Sequence, residues 1–472
     1  MRARAIAVRL SSLLIMAGII MAGIVGFGPT FSVLSSGPES PAFLFTAAKR
    51  YEPLAWARGA DRFSSDANIF LQNANGRRPL LPRFAASADP AVSFDGRSAL
   101  FAGKRKAEDH WQIWEVALDA TTPGAPPRRV TKCAEDCVRP FYLPGERIVY
   151  AKKSAGRFVI EAADRASGQI VQKTLQLTYG PGNFLPTDVL RDGRILFEAT
   201  YPLGTKGTPE LYTVYSDGSG VESYRCDHGQ ARYSGKQAAS GDIVFASSLG
   251  LARFTSARAE EVRIPAPVGE YAGDIAETSS GDWLLAWRNR KTPFQLMWWR
   301  PGAGTLRPVA AESDSNSNSD VIQPTLIVAR TVPKRHPSGL HDWPNANLLC
   351  LNAYTSKYKF AAGSIHSVRL YTRDSAGSAK LLGAAPVERD GSFFLQVPAD
   401  QPLQIELLDS SRKTLKRQAG WFWMRRGEQR ACVGCHAGPE TAPENAVPMI
   451  LLKSTTPADM TGTSTHVSAG GH

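Results

Sequence analysis

Cysteine and histidine are scarce in this chain, at 6 and 8 of 472 residues. So few cysteines make no dense disulfide scaffold. Formal charge is +12, from 55 Lys+Arg against 43 Asp+Glu. The positive residues are scattered, with no Lys/Arg block between aromatics, so nucleic acid is excluded as a partner class. A basic surface facing acidic redox partners or anionic lipid fits better, and a plainly solvated surface is the bland alternative. No glycine-rich phosphate loop, serine triad or glycosidase carboxylate pair stands out, so hydrolase chemistry has no support.

One long apolar run is present. Leu10 to Phe27 is interrupted only by Ser11 and Ser12 and follows Arg2, Arg4 and Arg9. A positive segment before a hydrophobic core directs export. The run approaches the roughly 20 residues that span a bilayer, and no clean A-x-A follows it. The expectation is a signal peptide or anchor over residues 1–35, with residues 10–27 in the inner membrane if uncleaved. The rest would then lie on the periplasmic side.

The few cysteines and histidines are concentrated where they matter. Cys432-Val433-Gly434-Cys435-His436 reads C-x-x-C-H, the pattern for covalent haem attachment. Two thiols add to the two vinyl groups of one porphyrin, so they sit one short turn apart. The adjoining histidine then reaches the iron. At this composition the number of chance matches is on the order of 0.001. A zinc half-site would need a second Cys/His pair nearby, and a thioredoxin-like pair would open a helix after a strand. Neither is found here. The expected cofactor is one haem c, with Cys432 and Cys435 as thioethers and His436 as proximal ligand.

Glycine and proline punctuation is abundant, and it repeats. Asp95-Gly96-Arg97, Pro144-Gly145-Glu146, Asp192-Gly193-Arg194, Ser240-Gly241-Asp242 and Ser280-Gly281-Asp282 each precede an apolar strand. Four short strands per unit at this period indicate propeller blades. Residues 68–82 read as half a blade and residues 321–330 as another half. Their pairing would close a sixth blade and remove the open edges. The segments resemble the TolB-like propeller repeat, which implies a fold and no function. The expected fold class is all-β: a six-bladed propeller over 60–330, a linker over 331–347, then a small β-sandwich over 348–452 that carries the haem motif. The Ser/Thr/Gly-rich tail, 453–472, is expected to be disordered.

The residues around the motif carry a family resemblance. Cys350-Leu351-Asn352, Asp390-Gly391-Ser392-Phe393, Val397-Pro398-Ala399-Asp400-Gln401-Pro402, Leu407-Leu408-Asp409, Trp421 and Gly427-Glu428-Gln429-Arg430 lead into Cys432–His436. This run resembles the middle domain of the hydrazine synthase alpha subunit family, in which a propeller precedes the haem domain. Hydrazine synthesis does not transfer, because that reaction needs further haems and subunits. Glu440 stands four residues after His436, so no tyrosine is there to bind iron.

Other candidates divide between site and structure. The sixth iron ligand is sought at His341 or Met449, with His336 and His366 behind; solvated histidines and a packing methionine are the alternatives. Trp421 and Trp423, around Phe422, either line the porphyrin or form a core strand. Cys226-Asp227-His228 offers a thiolate, a carboxylate and an imidazole for zinc or another metal, against a loop with a buried cysteine. Cys133 and Cys137 suit a local disulfide, and Cys350 a buried strand position. Two functions follow. One is an exported haem c protein, an oxidoreductase if an enzyme, that moves electrons or handles small nitrogen or oxygen molecules. It would need a redox partner in the cell envelope and the haem-maturation machinery. The other is a non-enzymatic propeller scaffold with a structural or sensory haem.

Overall fold

The computed structural model describes residues 41–462 apart from 119–124, 166–169, 172, 201–207, 226–229, 257–259, 291, 310–317, 375–376 and 435–444. The export segment lies outside the described residues. No described helix is long and apolar enough to cross a membrane.

The described chain is all-β, and six of its four-stranded sheets follow one another as blades. Blade 1 begins with Ala86–Val92, blade 2 with Cys137–Leu143, blade 3 with Phe184–Val189, blade 4 with Tyr233–Gln237 and blade 5 with Glu270–Glu277. Asp320–Leu326 is the inner strand of blade 6. Each inner strand touches the next, and blade 6 touches blade 1, so the ring closes. Gly96, Gly145, Gly193, Gly241 and Gly281 turn each of the first five inner strands into its neighbour, all with φ between 76° and 97°. That left-handed backbone is why glycine recurs there.

The closing blade differs from the expected one. Phe43–Ala48 (FLFTAA) pairs with Asp320–Leu326 on one side and Asn68–Asn73 on the other. The 68–82 and 321–330 segments therefore do not pair directly, and the propeller starts at Phe43 rather than near residue 60. Residues 49–67, which join Phe43–Ala48 to Asn68–Asn73, fold over one mouth of the axial channel as a plug. Trp56 is fully buried there, and Tyr51 stacks on Phe63 at 5.2 Å. Lys153 Nζ donates to Gly59 O (2.8 Å), and Asn183 Nδ2 donates to Ala57 O (3.2 Å). Arg62 reaches down the channel to Asp89.

The inner strands have an unusual backbone. Asp89, Arg139, Ser234, Asp274 and Gln323 have φ between 52° and 58°. In the first, second, fourth and fifth blades they fall at register shifts with the neighbouring strand. Each left-handed non-glycine residue costs about 1–3 kcal/mol, yet the device recurs around the axis. It draws polar side chains inward. Gln323 Nε2 donates to Asp89 Oδ1 (2.6 Å), and Arg139 pairs with Asp274.

The linker runs over the face opposite the plug, where the glycine turns lie. Arg330 N donates to Phe94 O (2.8 Å), Lys334 N donates to Arg191 O (3.0 Å), and the His336 ring lies 4.4 Å from that of Tyr215. A two-sheet sandwich follows. One sheet has the order Gln429–Cys432, Asn345–Cys350, Phe393–Pro398, Ala458–Asp459. The other has the order Ala379–Pro386, Ser367–Arg373, Leu403–Leu408, Thr414–Arg417. Leu348, Leu370, Leu395, Leu403, Met424 and Met460 fill the space between. The tail expected to be disordered is thus ordered through Met460. Ala458–Asp459 adds a parallel edge strand, and the Met460 side chain is 1% exposed. One apolar residue in a Ser/Thr/Gly-rich tail is enough to dock it.

Candidate functional site

Cys432 ends the edge strand Gln429–Cys432, which pairs parallel with Asn345–Cys350, so that Cys432 lies in register with Cys350. Leu351 N donates to Cys432 O at 2.9 Å, and this is where the ladder ends. Cys432 is half-buried, and burial pushes its thiol up from its ordinary value. The thiol therefore stays protonated at neutral pH and resists casual oxidation. Two residues on, Gly434 lies against the carbonyls of Asn352 and Thr355; a Cβ there would come within 2.0 Å of Thr355 O. Only glycine fits this close to the Asn352–Thr355 loop. Cys435 and His436 lie outside the described residues.

The four residues before the motif lock this strand in place. Gly427, at φ 69°, turns against the backbone of His341. Glu428 Oε2 accepts from Arg425 N (2.7 Å), and its Oε1 accepts from Gly220 N of blade 3 (3.1 Å) and from Arg430 Nη2 (2.6 Å). Arg430 Nη2 also donates to Trp423 O at 3.2 Å. Arg425 in turn donates to Asp217 O (3.2 Å), Asp400 Oδ1 (2.5 Å) and Tyr179 Oη. The strand that carries Cys432 is thereby tied to blades 2 and 3 of the propeller.

The other candidates separate by position. His341 lies beside Gly427, at the far end of the strand from Cys432. At about 3.3 Å per residue the gap is roughly 15 Å. Its exposed ring stacks on Trp343 at 5.0 Å. This placement sets His341 apart from the Cys432 end of the strand. Met449 opens the short helix Met449–Lys453, and its N–H donates to Asp390 Oδ2 at 2.7 Å. The Asp390-Gly391 turn packs on Asn352 and Ala353, the same loop that receives Gly434. Met449 therefore stands at the Cys432 end. His366 is exposed at the start of Ser367–Arg373, and His336 sits against blade 3.

Trp423 packs as a core residue. Its ring is fully buried in the propeller's main core cluster, edge-on to Phe184 at 5.6 Å. Trp421 is half-buried against that cluster, with the Arg373 guanidinium 5.8 Å from its ring centroid, and Phe422 bridges to Leu403. These aromatics form the seam between the two folds. Cys226, Asp227 and His228 lie outside the described residues. Among the described residues no cluster of three or more metal-ligating side chains occurs. Cys133 and Cys137 are joined by a disulfide in the loop into blade 2, and Cys350 is buried in its strand. The axial ion-pair ring of Arg62, Asp89, Arg139 and Asp274 went unread in the sequence. Its residues are far apart in the chain, and only the closed ring unites them: Asp89, Arg139 and Asp274 lie on the inner strands of blades 1, 2 and 5, and Arg62 reaches them from the plug.

The segment that carries C-x-x-C-H matches a known family model. Residues 353–437 match the model of the hydrazine synthase alpha subunit middle domain. The matched stretch runs through His436, so the family model spans the attachment motif itself. The fold agrees over most of the chain with hydrazine synthase from Kuenenia stuttgartiensis. The TM-score is 0.73 at 17% identity, covering 88% of this chain and 72% of that one. TolB from Acinetobacter baumannii is a weaker structural neighbour, with a TM-score of 0.42 at 16% identity over 63% of this chain and 68% of that one. No curated protein matches the chain.

Proposed function

We propose that this chain is an exported redox protein with one covalent haem c, held by thioethers at Cys432 and Cys435 and by His436 at the iron. The carrying observation is a C-x-x-C-H sequence, within the hydrazine synthase alpha middle domain match, whose first cysteine ends an edge strand. The residues present fit the group. A protonated, half-buried thiol stands where the strand leaves its sheet, and Gly434 beside it packs against the Asn352–Thr355 loop. When bound, the haem supplies a one-electron couple and a site for small nitrogen or oxygen molecules.

The chain's own part is positioning. Glu428 and Arg430 hold the Cys432 strand rigid against blade 3, and the loop around Asn352–Thr355 supports the turn from below. Met449 is the sixth-ligand candidate at this end of the domain. The Cys133–Cys137 disulfide supports an oxidising compartment, as expected for a chain whose residues 10–27 direct it across the inner membrane. A redox partner of the envelope and the haem-maturation machinery complete the reading. Hydrazine synthesis is not part of it, since the chain holds a single C-x-x-C-H.

The test is the intact mass after export in a host with haem-maturation machinery. The protein should gain the mass of one haem and keep it through acid-acetone extraction. Loss of the porphyrin on extraction sinks the proposal. Oxidised and reduced spectra of wild type and Met449→Ala then read the iron. A low-spin spectrum turning high-spin in the variant assigns Met449, and an unchanged spectrum removes it.

A further inference from the structure

The axial channel of the propeller ends in a cation that the fold does not neutralise. Lys236 stands on the inner strand of blade 4, two residues after the left-handed Ser234. Its side chain is half-buried. Among the described residues its ammonium makes no hydrogen bond or ion pair; it meets only the ring face of Phe141, 4.8 Å from the centroid. The charged groups around it are Asp188, Asp274, Arg139 and Arg330. Both aspartates are engaged elsewhere. Asp274 is paired with Arg139, and Asp188 accepts from Gln237 N (2.8 Å) and Val189 N (2.9 Å). Asp89, deeper in the channel, is taken by Arg62 and Gln323.

Beside Lys236 lies a cavity of about 20 Å³, lined by Pro90, Pro140, Phe141, Pro324, Thr325 and the Asp89–Arg139–Asp274 ring. That is room for a single small species. Three prolines give it walls without N–H donors. The remaining donors are the Lys236 ammonium and those Arg139 N–H groups not spent on Asp274 and Pro186 O. Charge around the cavity leans positive, with Arg62, Arg139, Lys236 and Arg330 set against Asp89, Asp188 and Asp274. Glu198, in the second strand of blade 3, is held back from ionising by burial. Burial lowers the pKa of Lys236, and the Asp188 and Asp274 charges offset this only in part, so a bound anion would favour its charged form.

The approach to this mouth is basic as well. The plug closes the opposite end of the channel, where Arg62 and Trp56 sit. The linker crosses the open face and brings Arg330, Lys334, Arg335 and His336 over it. Such a field draws anions toward the axis.

We propose that the linker-side mouth of the channel is a binding site for one small monovalent anion of the size of chloride, nitrite or formate, held by Lys236 with Arg139 behind it. The site is separate from the haem segment, and it stands or falls independently of haem attachment.

Thermal unfolding at constant ionic strength and constant pH tests it, with gluconate exchanged stepwise for chloride, nitrite or formate. Wild type should gain on the order of 5 °C at an anion concentration about a hundred times its Kd. Lys236→Met should show the same transition in every salt. An equal response in wild type and variant, or no response in wild type, overturns the proposal. Crystals of wild type soaked in bromide give a second reading that needs no variant. An anomalous peak within hydrogen-bonding distance of Lys236 Nζ supports the site. Density for water alone in the cavity overturns it.

Discussion

Glu198 is a buried carboxyl beside the axial ring, and its Oε1 accepts from Ser234 N. Burial pushes its pKa up to about 7, while the Ser234 N–H and the Arg139 charge pull it back only in part. In the unfolded chain a glutamate ionises near 4.3. Between these values the folded state keeps a proton that the unfolded state has lost. Stability therefore falls as pH rises from about 4.5 to about 7, and this contribution levels off above that. Glu198→Gln removes the titration and keeps the acceptor for Ser234. The variant should match wild type near pH 4.5 and exceed it at pH 8 by about 3–4 kcal/mol. Urea unfolding at the two pH values checks this. A variant that is less stable at both would mean that the ionised carboxylate is the form the ring requires.

Among the elements, Phe43–Ala48 decides whether the ring closes. It lies between the first strand of blade 6 and Asn68–Asn73, and the plug that follows caps the channel. A chain started at residue 60 loses both, and leaves the inner strand Asp320–Leu326 and the strand Asn68–Asn73 with unpaired edges. Such a chain should aggregate on expression, whereas one started at residue 41 should purify as a folded domain. A monodisperse, folded protein from residue 60 would contradict the topology argument. The same element marks the limit of sequence reading. The five glycine turns were legible because a left-handed tight turn leaves few choices of residue. FLFTAA has no such turn ahead of it and follows an apolar run, so nothing in its pattern separated it from the export segment. The five residues of C-x-x-C-H, Gly434 among them, stand out in the sequence from chemistry alone, since covalent haem attachment would fix the thiol spacing. Trp423 was not legible as a seam residue, because an aromatic near a haem motif and an aromatic between two folds have the same local pattern. Met460 was hidden by the composition around it.

At the scale of the whole molecule, the propeller and the sandwich meet on a small set of groups. Trp423 buries its ring against Phe184, and the close approach of Gly180 makes room for it. Arg425 crosses the seam to Asp217 O and Tyr179 Oη while pairing with Asp400 on its own side. Glu428 links the seam to the strand bearing Cys432 through Gly220 N and Arg430. The contact that orients the Cys432 strand is thus the contact that joins the folds. Weakening this coupling should do two things at once. Arg425→Ala leaves the half-buried Asp400 carboxylate with only its longer, exposed pair to Arg426 (3.6 Å); a buried pair lost outright costs about 3–5 kcal/mol, and the loss is less here because Asp400 keeps Arg426 and some solvent. Wild type should melt in one calorimetric transition, and the variant in two, with the sandwich first. Proteolysis across residues 337–344 should quicken in parallel, since Ser338 Oγ donates to Asp217 Oδ2 beside the lost contact (2.8 Å). Where haem is attached, the variant's absorption band should broaden while its mass stays unchanged, because the thioethers survive and only the strand's anchoring is lost. A single transition with an unaltered spectrum would mean that the glycine turns and linker alone hold the folds together, and that the run from Gly427 to Arg430 serves the sandwich alone.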